Sequence, residues 1–244
     1  MAVLSATLAS KLAATLALAY ISLRTTVGFA AWRSAEGLEK PRYTIVGSFG
    51  NGIEIRKYQP YIVAEVRSRE SSMKKATSSG FRQVAGYIFG KNKPRRSSIY
   101  SLLSRSSGPA SKMKMTAPVR TEMKTSSSVA KLQEEYSTSF VMGSKYEMGE
   151  LPVPLNKNVT LRRIPGHFLA VKRFSGPPPT EEKVETYKAE ILDTLSKNGL
   201  SASKGRTFVY QYHDPFATPN FLRKNEVAVA VSDKVASAVE KIRK

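Results

Sequence analysis

The sequence contains no cysteine, which excludes a disulfide framework, a Cys-ligated zinc site, an iron–sulfur cluster and a thiol nucleophile. Histidine is almost as scarce. His167 and His213 are the only two, so a His-rich metal site or a His-dependent proton relay is poorly supplied. Acidic residues number 19 against 39 Lys and Arg, and none occurs before Glu36. The resulting net charge of +20 favours anionic partners: nucleic acid, acidic lipid, or a ligand carrying carboxylates or phosphates. What is present, 244 residues at 41% hydrophobic, suffices for one sizeable core or two small ones. With 24% charged residues the chain is neither a disordered acidic tail nor a polytopic membrane protein.

Residues 1–40 differ from the rest. Leu12–Leu23 is a twelve-residue, largely apolar run between Lys11 and Arg24. That is short of the roughly 20 residues needed to cross a bilayer, and extending it to Trp32 takes in Arg24. The segment reads as a targeting leader, with small residues at Gly28, Ala30 and Ala31 to host cleavage, or as an uncleaved membrane anchor. Its Ser/Thr-rich, acid-free start fits a plastid transit peptide; its apolar centre fits an endoplasmic-reticulum signal. The working domain is placed at 41–231. Residues 232–244 form a tail or a short helix over 235–242.

Past residue 40 the apolar period is two. Residues 53–67 and 159–173 align without a gap at an offset of 106. Apolar residues match at Ile53/Val159, Ile55/Leu161, Tyr58/Ile164, Ile62/Phe168, Val63/Leu169 and Ala64/Ala170, and basic ones at Arg56/Arg162, Lys57/Arg163 and Arg67/Arg173. Each stretch reads as a hairpin turned by Gln59-Pro60 or Pro165-Gly166, then a helix, then two further strands. The first helix carries Met73, Ala76, Phe81, Val84, Ala85 and Ile88 and ends near Gly90. The second starts at a Thr180 cap followed by Glu181 and Glu182, carries Val184, Tyr187, Ile191 and Leu195, and closes at Asn198-Gly199. Two ββαββ units predict an α+β fold, a distorted antiparallel β-barrel with two pseudo-symmetric repeats and two main helices. Outside this unit, 91–112 holds six Lys/Arg, seven Ser and no acid, and reads as a mobile basic loop. Arg95-Arg96-Ser97-Ser98 within it matches a basophilic kinase pattern of low specificity. Residues 124–135 read as a shorter loop.

The segments KMKMTAPVRTEM (112–123), YSTSFVMGSKY (136–146), HFLAVKRFSG (167–176) and YHDPFATPNFLRKNEV (212–227) resemble the SOUL/heme-binding protein family, as a plant- or alga-like, organelle-targeted member. The resemblance covers about 43–231. It implies a twisted barrel of two halves and binding of heme or another tetrapyrrole in an apolar cleft with a basic rim, beside the first helix. Carried over, the helix face is Phe81 and Ala85, with Val84 and Ile88 beside it. A helix packed on a sheet accounts equally well for Val84 and Ile88. Where the family has a basic residue before this face, the chain has Ser78, leaving Arg82, Lys74 or Lys75 to meet propionates. The loop 213–223 borders the cleft, with Phe216 and Phe221 covering its far edge, Arg223 near the propionates or held by Asn225-Glu226, and His213 a candidate axial ligand for heme iron. Asp214 would otherwise fix its imidazole. His167 opens a strand and is the poorer ligand. Met113, Met115 and Met123 share one strand face, as core or as thioether ligands.

These residues support a tetrapyrrole carrier or buffer. A tetrapyrrole-metabolising enzyme that removes or inserts the metal, using His213 or Asp214, is the alternative, beside a small-molecule sensor of the same fold. Nucleic-acid binding is disfavoured, because the basic residues are dispersed and no readout motif occurs. Contact of the basic loop with an anionic membrane surface is a further expectation.

Overall fold

The structure, a computed structural model, describes residues 2–95, 110–124 and 134–232, the side chains of 2–9 and 204 excepted. Most of the basic loop, the kinase-like pattern beyond Arg95, the core of the second loop and the C-terminal segment lie outside the described residues. Helix α1 (Ala2–Glu36) is followed by β1 (Tyr43–Phe49), β2 (Ile53–Tyr58), β3 (Tyr61–Glu70), α2 (Met73–Ile88) and the short β4 (Asn92–Lys93). Then come β5 (Val119–Lys124), β6 (Glu134–Val141), the short β7 (Val153–Pro154), β8 (Val159–Ile164), β9 (His167–Ser175), α3 (Glu181–Lys197), β10 (Ala202–Gln211) and β11 (Lys224–Val231).

Among the described residues the fold is α+β: three helices and a nine-stranded antiparallel sheet ordered β1-β2-β9-β11-β10-β5-β6-β3-β8, with a separate β4–β7 pair. Two expectations are corrected. The sheet is not a closed barrel, because β1 and β8 are its edges and, among the described residues, no ladder joins them. Nor are 53–67 and 159–173 hairpins. β2 pairs with β9 and β3 with β8, so each two-residue connector turns a corner between distant parts of the sheet. A proline in each connector, Pro60 and Pro165, lacks the N–H that would extend a ladder. Two residues reach only about 10 Å, so the sheet coils to bring β2 close to β3. The registers are related: Ile53 faces Lys172 as Val159 faces Val66, and Ile55 faces Ala170 as Leu161 faces Ala64, each set mapping to the other under the 106-residue offset.

α2 and α3 cover one sheet face. Ser72 caps α2 by accepting from the Lys75 amide at 3.4 Å, and Thr180 caps α3 by accepting from that of Lys183 at 3.3 Å. Val184, Ile191 and Leu195 of α3 pack with Ile53, Ile55, Val209, Val227 and Val229. Val84, Tyr87 and Ile88 of α2 pack with Ile62, Ala64, Val66 and Phe140. Gly80 lets α2 lie close to β6, since a Cβ there would stand 2.5 Å from that of Thr138.

The opposite face folds over itself and buries charge. Glu226 takes Arg56 at 3.1 Å, Arg173 at 3.4 Å and the Tyr212 hydroxyl at 2.7 Å. Glu122 takes Arg120 at 3.0 Å and Arg206 at 2.7 Å, while Glu65 takes Arg67 at 3.0 Å and Arg162 at 2.8 Å. Burial works against the Glu122 carboxylate, yet its Arg206 and Arg120 partners hold its pKa below the usual value. Burial pushes the Tyr210 and Tyr212 hydroxyls well above theirs.

Candidate functional site

In α2 the helical period sets Phe81, Ala85 and Phe89 four residues apart along one line. Phe81 is 39% exposed, with its ring on Phe140 at 5.4 Å between centroids. Phe89, one residue past the helix, is 56% exposed, and Ala85 between them is buried. At about 1.5 Å per residue the two rings lie roughly 12 Å apart along the axis. Arg82 is exposed beside Phe81, as are Ser78 and Lys74 one and two turns earlier. Val84 and Ile88 instead face the sheet and are fully buried. Sequence reading missed Phe89 because the apolar pattern stops at Ile88 and Gly90 signals the helix end. Its place eight residues after Phe81 was the available signal.

The loop after β10 is built differently from expectation. The His213 Nδ1 accepts a hydrogen bond from the Lys224 amide at 3.0 Å, which leaves the proton on Nε2, 3.1 Å from a Glu36 carboxylate oxygen. The side chain is 1% exposed, so iron could reach Nε2 only by displacing Glu36. Burial lowers the His213 pKa below 6.5, with Glu36 opposing that shift. Asp214 does not fix the imidazole; its carboxylate accepts from the Phe216 and Ala217 amides at 2.7 Å each. Arg223 is held neither by Asn225-Glu226 nor free for a propionate, because its guanidinium donates to the Thr218 carbonyl at 2.7 Å and to that of Pro215. Phe216 and Phe221 stand out at 84% and 76% exposure.

The described contacts do not join the two groups of residues. α2 packs on β3, β5, β6 and β8, whereas the loop meets the end of α1 and β9. Two concavities are described. One, of about 190 Å³, is lined by residues including Lys40, Arg42, Tyr61, Met142 and Arg163, and the other, of about 260 Å³, by Glu65, Arg67, Thr160 and Arg162 among others. Both fall below the roughly 300–1,000 Å³ typical of small-molecule sites. Neither is lined by Phe81, Ala85, His213 or Arg223.

His167 opens β9 and stacks on Tyr58 at 5.3 Å, its Nδ1 2.9 Å from the Pro165 carbonyl. The methionines do not share one strand face. β5 begins only at Val119, and buried Met113 and Met123 belong to different clusters. Among the described residues, no group of three His, Asp or Glu side chains could hold a metal ion.

The chain resembles the EcmrR C-terminal domain in structure, with a TM-score of 0.51 at 9% identity, covering 78% of this chain and 98% of that one. An uncharacterized conserved protein from Listeria innocua gives 0.50 at 14% identity, covering 75% of this chain and 93% of its own. A hydrolase from Listeria innocua gives 0.48 at 13%, covering 75% and 92%. At such identities the first two show a shared fold. No curated protein matches the chain. The family model described as SOUL heme-binding protein matches residues 38–230.

Proposed function

The chain belongs to the SOUL heme-binding protein family, and from that premise we propose that it is a heme or tetrapyrrole carrier or buffer whose ring docks on the Phe81–Ala85–Phe89 face of α2. Family membership over 38–230 carries the reading, and the exposure of Phe81 and Phe89 supports the location. Two exposed rings flanking a small residue offer a flat apolar platform on which a macrocycle can stack. Arg82 and Lys74 supply countercharge for propionates. Binding needs area and countercharge. Turnover would need an acid or base over the ring, and His213, buried with its Nδ1 bound to the Lys224 amide and its Nε2 against Glu36, is poorly placed to be one. Heme is then held by its ring and carboxylates, with little from iron. We also infer that the related registers reflect an internal duplication, and that residues 1–40 address or tether the domain to an organelle membrane, plastid or endoplasmic reticulum.

Soret titration of the full chain with hemin and with metal-free protoporphyrin tests the binding reading. Similar affinities are expected, an unchanged hemin spectrum in His213→Ala, and at least a tenfold loss for both ligands in Phe81→Asp/Phe89→Asp. Both positions are exposed, so the variant should keep its fold. Parental affinity in that folded variant would move the site elsewhere.

A further inference from the structure

α1 is apolar enough to cross a membrane over Ser10–Glu36, and 6% of its most apolar window is buried. Leu12, Leu16, Leu18, Ile21, Leu23 and Phe29 are each half-exposed or more. An apolar helix displayed to this extent needs a covering phase. It touches the domain near its C-terminal end. Gly28 is buried against the loop 213–223, where a Cβ would stand 2.7 Å from the Pro219 ring, and Glu36 reaches His213.

That same loop carries Phe216 and Phe221, the two most exposed large apolar side chains among the described residues. They are held outward by a braced backbone. Asp214 ties the Phe216 and Ala217 amides, Arg223 ties the Pro215 and Thr218 carbonyls, and a single helical turn spans Asn220–Leu222.

We propose that α1 and the loop 213–223 form one membrane-seating surface, with α1 crossing a phospholipid bilayer and Phe216 and Phe221 inserting at its interface. Gly28 lies four residues before Trp32, so the loop meets α1 about 6 Å from that ring along the axis, within the interfacial zone. Phe29 and Trp32, 5.3 Å apart between centroids, form an aromatic pair at this depth, where such rings concentrate. Arg33, Lys40 and Arg42 follow on the domain side, matching anionic headgroups. Arg24 lies about 12 Å from Trp32, a depth its long side chain can span toward the interface. The surface orients the domain instead of letting it swing on a tether.

The absence of cysteine allows clean single-site labelling. Phe216→Cys, Phe221→Cys and, as a control beyond the other end of β10, Asn198→Cys would each carry a nitrobenzoxadiazole dye in the full chain. Each is reconstituted with vesicles of phosphatidylcholine and phosphatidylglycerol, and Trp32 quenching by brominated lipid reports whether α1 is inserted. A blue-shifted, at least twofold brighter dye at 216 and 221, with none at 198, is the expected result. Inserted α1 with no change at 216 and 221, or equal change at all three, would overturn the proposal, as would an unquenched Trp32. The measurement contains no tetrapyrrole, so its outcome is separate from heme binding.

Discussion

Glu226 collects two arginines, the Tyr212 hydroxyl and a lysine at 3.9 Å in a position with no exposure. A buried charge of this kind contributes little net stability as a pair, but removing one partner leaves the other stranded in low dielectric. Glu226→Ala should therefore cost about 3–5 kcal/mol in urea unfolding, and Arg56→Met combined with Glu226→Leu should recover most of it. A loss under about 1 kcal/mol for Glu226→Ala would show that water reaches the cluster. None of this was legible in the sequence. Strand alternation does set Arg56 opposite in facing to Ile55, and Glu226 to Val227, but polarity then assigns both charges to solvent. Only the coiling of the sheet, fixed by partners more than 90 residues away, turns that face inward. The surroundings of the candidate ligand His213 were illegible for a related reason: its partner Glu36 comes from a segment that reads as separable.

The helices were the legible elements, because their signals are local. Thr180 caps where expected, acids open α3, and the periodic apolar residues of both helices pack on the sheet. Strand order was not, since two-residue connectors with proline suit a hairpin and a corner equally well. Methionines placed on one strand face failed likewise, because Pro118 delays β5. Gly80 and Gly86 offer a test of how closely α2 is seated. Alanine at either position improves helix propensity by up to about 1 kcal/mol. At Gly80 the new methyl meets the Thr138 Cβ at 2.5 Å, a backbone-fixed atom, whereas at Gly86 it meets the flexible Lys91 chain at 3.1 Å. Gly80→Ala should lose about 1–3 kcal/mol by overpacking, and Gly86→Ala should be neutral or gain. Thermal melts giving both variants the same sign would contradict this seating.

At the scale of the whole molecule, two histidines among 244 residues make the acid response of stability unusually simple. Burial lowers the pKa of both His213 and His167 below 6.5; Glu36 opposes the shift at the first and the Pro165 carbonyl at the second. A histidine whose folded pKa is depressed binds fewer protons folded than unfolded, so the unfolded state gains as pH falls. The stabilisation is complete above the unfolded value and declines as pH drops through 6.5 toward the folded values. Carboxylates with lowered pKa, Glu36, Glu122 and Glu135, act only below their ordinary 4.5, so the two effects have different onsets. The melting temperature should therefore fall as pH drops below about 6.5, and more steeply once it passes below 4.5. Replacing both histidines with Gln should flatten the upper window and leave the lower one, at some cost in packing around Tyr58 and Lys224. Each single replacement should remove part of the upper slope. An upper slope unchanged in the double variant would mean that the histidines are solvated, and that α1 does not lie over His213 in solution.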